Sequence, residues 1–144
     1  MQRYSYTIAL RIWHPSIKPE KITEEFGIVP DHSSEAGRPR KTPKGTPLEG
    51  VYRESYWHAD PFHRGEYSST DDLVEDALEE LLQVIEPHRS FIQQLRAEGA
   101  RVLVQVSSFS GRNYAFELTP DLLGRFAALG VSFAHDVYPY AQNW

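Results

Sequence analysis

From Tyr4 the chain alternates without a break: Tyr4, Tyr6, Ile8, Leu10 and Ile12 fall on one side, and Ser5, Thr7, Ala9 and Arg11 on the other. Successive side chains of an extended strand point to opposite faces, so this segment is a strand with one buried and one polar face. A sheet built from such strands is covered on one side only, and the cover has to come from amphipathic helices.

Four stretches supply that cover. Pro19 opens a short helix with Ile22 and Phe26 inward and Gly27 placed to end it. Ser69 or Thr70 caps a second, whose first turn carries Asp71 and Asp72 and whose apolar stripe is Leu73, Ala77, Leu78, Leu81 and Ile85. Pro87 restarts it into a stretch with Phe91, Ile92 and Leu95 inward, closed by Gly99. Thr119 and Pro120 open the last helix, which carries Leu122, Leu123, Phe126 and Leu129 and stops at Gly130. The first and last helices echo each other, each opening on a proline beside an acid and closing on a glycine.

Between the helices, residues 51–58 read as a strand with Tyr52, Tyr56 and His58 on one face and Val51, Ser55 and Trp57 on the other. Bulk on both faces predicts a central position. Residues 101–109 read as a strand whose hairpin partner carries Tyr114, Phe116 and Leu118, and 131–138 as the last strand. If residues 37–50 hide a short strand pairing with 51–58, the order through residue 109 is strand, helix, strand, strand, helix, strand. That is a ferredoxin-like core, here extended by a further strand, helix and strand. The expected class is therefore α+β: a two-layer, single domain over residues 1–144, with a mostly antiparallel sheet and helices on one face.

A formal net charge of −5 argues against nucleic acid as the partner of the whole surface, because phosphate binding draws on a broad positive field. Any such contact has to be local. No cysteine is present, which removes disulfides and thiolate chemistry and fits a reducing cytoplasmic setting. No run approaches the roughly 18 apolar residues of a membrane span, so no membrane role is expected.

The stretch from Gly37 to Trp57 stands apart. Arg38, Arg40, Lys41 and Lys44 lie within seven residues, broken by Pro39, Pro43 and Gly45, which forbid a helix. Such a loop can grip an acidic surface or a phosphate, or it can be merely solvated; it lacks the glycine pattern of a phosphate-cradling turn. His58, Asp60, His63 and Glu66 match no metal-site spacing, so no metal and no cofactor are expected. Asp71, Asp72, Glu75, Asp76, Glu79 and Glu80 line the polar side of the second helix, either as ordinary solvation or as a polyanion mimic facing a basic partner. His135 and Asp136 are adjacent in a strand and so point apart, and no serine sits in a nucleophile-elbow context. No catalytic residue is assigned.

The segments LRIWHPSIKPEKITEEFGIVPD, SSEAGRPR and YRESYWH, followed by an amphipathic helix and a final FAHDVY, resemble a bacterial domain-of-unknown-function family, numbered 4279, over nearly the whole chain. Ile22, Phe26, Gly37, Trp57, Asp136 and Tyr138 carry the match. The resemblance implies a small stand-alone cytosolic domain and transfers no residue role. The expected function is a non-enzymatic protein-binding module, such as the immunity or inhibitor protein of a toxin system. The alternative is a small-ligand binder or enzyme with a pocket near residues 37–50, Trp57 and His58. Candidate binding residues are Arg38, Arg40, Lys41, Lys44, Tyr52, Trp57 and His58, with Asp72, Asp76 and Glu79 on the acidic helix.

Overall fold

The computed structural model describes residues 2–140. The opening alternation becomes β1 (Ser5–His14), with Tyr6, Ile8, Leu10, Ile12 and His14 buried and Thr7, Ala9, Arg11 and Trp13 half-buried on the other side. It lies at the centre of a sheet with β2 (His32–Ser34), β5 (Ser55–Ala59), β7 (Arg101–Phe109) and β8 (Ser132–Tyr138), in the order β2, β5, β1, β7, β8. The two-residue β6 (Tyr67–Ser68) pairs with the start of β1. The first four of these strands are antiparallel to their neighbours, which is the ferredoxin-like order; β8 joins the edge of β7 in parallel.

The helices are α1 (Pro19–Phe26), α2 (Val74–Ile85), α3 (Arg89–Ala97) and α4 (Pro120–Leu129), with a 3-10 turn at Glu86–His88 where Pro87 interrupts α2 and α3. They cover one side of the sheet. Ile22, Leu78, Leu81, Ile85, Ile92 and Leu95 meet Ile8, Leu10, Ile12, Trp57, Val104 and Val106 in a single core. Each such side chain contributes roughly 1.5–3 kcal/mol on leaving water, so the apolar phase of β1 alone fixes which face is covered. Gly27 closes α1 in the left-handed conformation (φ 68°), where its N–H reaches the Thr23 carbonyl. His14 ends β1 as a polar rivet. Its Nδ1 accepts the N–H groups of Ser16 and Ile17, both at 2.9 Å, so Nε2 carries the proton and donates to Glu98 at 2.8 Å.

Several expectations are corrected. Tyr114, Phe116 and Leu118 pack against the core but form no strand, because β1 and β8 already occupy both edges of β7. The extension is thus a helix and a strand. The partner of β5 on its outer side is β2, outside the 37–50 loop, whose own strands pair with each other. Residues 51–58 are not one strand, since the chain bends at 52–54. Finally, α2 starts at Val74 with Leu73 as its cap residue: the Ser69 hydroxyl is already used accepting the Tyr4 N–H, and Leu73 stays exposed. Among the described residues no helix is long and apolar enough to cross a membrane.

Candidate functional site

After β2 the chain leaves the sheet and returns at Tyr52. Between them β3 (Pro39–Lys41) and β4 (Pro47–Val51) form a separate two-stranded arm, with Pro39 opposite Val51 and Lys41 opposite Pro47. Every residue from 37 to 51 is exposed except the half-buried Thr42. Polar contacts hold it instead of a core. At the tip, Thr42 and Thr46 bond through backbone at 2.8 Å and through the Thr42 hydroxyl at 3.0 Å, with Gly45 turning at φ 88°. At the root, Gly37 N–H donates to the Tyr52 carbonyl at 2.9 Å and Tyr52 N–H to the Arg38 carbonyl at 3.0 Å. The Tyr52 hydroxyl then receives the Lys41 N–H at 3.3 Å and donates to the Lys41 carbonyl at 3.1 Å.

Residues 37–53 carry five cations, Arg38, Arg40, Lys41, Lys44 and Arg53, against the single carboxylate of Glu49. Arg38 meets Glu35 at 3.7 Å, while among the described residues Arg40, Lys41, Lys44 and Arg53 pair with no carboxylate. Two clefts flank the arm. One, of about 600 Å³, lies against Pro19 and Glu20 of α1 and the His32–Ser34 strand; the other, of about 610 Å³, runs between Arg40, Gly50 and Arg53 and the sheet residues Trp13 and Tyr56.

That second cleft opens onto the face of the sheet that no helix covers. Strand registers bring Arg11 beside His58, Trp13 beside Tyr56 and Arg101, and His32 beside His58. The Arg11 guanidinium lies 4.7 Å from the Trp13 ring and 5.5 Å from the Tyr56 ring; Arg101 lies 5.1 Å from Trp13. Arg11 is fixed there, its Nε–H donating to the Tyr56 hydroxyl and a terminal N–H to the side-chain Oε1 of Gln105, each at 2.7 Å. Burial pushes the His58 imidazole below its usual pKa, against the opposing pull of Asp31 at 3.8 Å.

Of the expected residues, Arg38, Arg40, Lys41, Lys44 and Tyr52 therefore gather on the arm, with His58 on the neighbouring open face. Trp57 points the other way. It is fully buried, its ring N–H donates to Thr23 at 3.0 Å, and it packs on Phe26, so it belongs to the scaffold. Asp72, Asp76 and Glu79 lie on the helix layer, away from the open face. Glu79 is bound by Arg125 at 2.5 Å, which also takes Glu86 and Asp121 and holds the Glu86 carboxyl below its ordinary range; Glu80 is bound by Arg64. Arg11, Trp13 and Arg101 were not among the candidates. Their signal was Trp13, a large aromatic in the polar phase of an alternating strand.

Two constellations bear on chemistry. Asp60 is engaged in its own turn, accepting the Gly65 N–H at 2.8 Å, and among the described residues no group of three or more His, Cys, Asp or Glu is arranged to hold a metal ion. Ser108, Tyr114 and His135 do meet, with Ser108 Oγ 2.6 Å from His135 Nε2 and in contact with the Tyr114 hydroxyl. Ser108 is fully buried, and Asp136 accepts from Tyr138 at 2.8 Å on the opposite face. A serine out of reach of any substrate, with no acid orienting its histidine, is a packing contact.

A family model described as a domain of unknown function (DUF4279) matches residues 4–140. No curated protein and no solved structure matches the chain.

Proposed function

The chain belongs to the DUF4279 family, whose function is unknown, and from its own geometry we propose that it is a non-enzymatic protein-binding module that docks an acidic partner surface on its arm. The arm is the observation that carries this reading. Fourteen exposed residues held by their own hydrogen bonds, whose cations Arg40, Lys41 and Lys44 meet no carboxylate among the described residues, present charge with little ordering cost on binding. The acidic side of α2 supports the role less well, since Glu79 and Glu80 are already paired within the molecule. In its finer form the proposal is a small bacterial cytosolic protein acting as an immunity or inhibitor protein of a toxin system.

A second reading, a small-ligand binder, draws on the cleft of about 610 Å³ at the arm's root, with Trp13 and Tyr56 rather than Trp57 as its aromatic wall. Affinity capture from the native lysate compares the two. The wild-type chain and one with Asp72 and Asp76 reversed to lysine should retain the same protein, and a chain with Arg40, Lys41 and Lys44 reversed to glutamate should lose it. Equal capture by the arm variant, or recovery of a small molecule alone, refutes the proposal.

A further inference from the structure

Beyond the arm, we propose that the open face of the sheet binds single-stranded nucleic acid. On its central strands this face presents Trp13, Tyr56 and His58, with His32 on the outer strand, among Arg11 and Arg101. Among the described residues neither arginine pairs with a carboxylate. A cation that an uncovered surface needs only for solubility is free to wander, but Arg11 is clamped by Tyr56 and Gln105 with three of its five N–H groups still without a bonding partner among the described residues. A held guanidinium over aromatic rings is an anion site built beside a stacking platform.

The ligand has to offer both chemistries at once. Unpaired bases bring flat π-faces to Trp13, Tyr56 and the histidines, or to the arginine planes themselves, and the linking phosphates bring charge to Arg11 and Arg101. A duplex hides its bases in the stack and cannot use the rings. An isolated nucleotide suits a concave pocket, whereas this face is an open sheet. From β2 to β7 there are three strand intervals, about 14 Å in all, which is room for two or three bases. The strand then runs past Arg40 and Arg53, which wall the cleft adjoining Trp13 and Tyr56. The acidic groups on this side are Asp31, which faces His58 at 3.8 Å, Glu49 and Glu54, which line the cleft with Arg40 and Arg53, and Asp136, tied to Tyr138 on the far strand. The chain's overall charge of −5 therefore does not describe this face.

The test is fluorescence anisotropy of a labelled oligothymidylate and oligouridylate, each about 15 nucleotides long, titrated with the full chain at several salt concentrations. The wild type should bind one or both, and should bind a duplex of equal length more weakly. Trp13→Ala should weaken binding about tenfold or more. Arg101→Ala, at an exposed position that leaves the fold intact, should lower the slope of log K against log salt by about 0.7. Reversal of Lys41 and Lys44 at the arm should leave oligonucleotide binding within about twofold of wild type, so that failure here and failure of the protein-binding proposal are read separately. No binding at low salt, equal binding of duplex, indifference to both Trp13→Ala and Arg101→Ala, or equal displacement by oligoglutamate would overturn the inference, the last in favour of an acidic peptide.

Discussion

Removing one oxygen atom at the arm's root separates the arm from the domain. In Tyr52→Phe the ring stays, and the core is untouched because Tyr52 packs into none of it. What is lost is a pair of hydrogen bonds to Lys41, one accepted at 3.3 Å and one donated at 3.1 Å. A hydrogen bond contributes a net 0.5–1.5 kcal/mol, and both of these are long and exposed, so the pair is worth about 1 kcal/mol, a factor of about five in the arm's opening equilibrium. Native-state hydrogen exchange reads this directly. The amides of Thr42, Thr46 and Tyr52 should exchange about fivefold faster, while those of Ile8 and Leu10 in β1 keep their wild-type rates and the melting temperature holds. Partner affinity should fall by a similar factor, since the loosened arm has to be reordered on binding. Unchanged exchange across 38–52 would show that Tyr52 does not organise the arm, and equal acceleration in β1 would show that arm and core unfold as one.

Trp57→Ala should cost about 3–5 kcal/mol by urea unfolding, because it empties the fully buried space beside Phe26; a loss near 1 kcal/mol would contradict the scaffold role assigned to Trp57. Acidification should also destabilise the protein. Burial lowers the pKa of both His58 and His135, so between their folded values and about 6.5 the unfolded chain holds more protons, and stability rises with pH through that window. His58→Gln combined with His135→Asn should flatten a plot of melting temperature against pH over that range, and an unaltered slope would assign the effect elsewhere.

The sheet was legible because burial on one face only leaves a period-two mark, which β1 and β5 carry most clearly. The same mark misled at Tyr114, Phe116 and Leu118: they alternate because they pack, yet with both edges of β7 taken they have no strand to pair with. Ser69 and Thr70 followed by Asp71 and Asp72 have the composition of a helix cap, but which group Ser69 serves depends on Tyr4, 65 residues earlier. The candidate surface divided in the same way. The arm's cations lie close together in sequence and were visible, whereas Arg11, Tyr56 and Arg101 come together only through strand register. Trp57 stood among the candidate binding residues, but alternation sets it on the face opposite Tyr56 and His58, and that is the buried face.

The proposal that the arm is the docking element is tested most directly by hydrogen–deuterium exchange on the complex with the captured partner. Protection on binding should concentrate in residues 37–52, with α2 exchanging as in the free protein. Protection confined to Asp72, Asp76 and the rest of the acidic helix, with the arm unchanged, would contradict it.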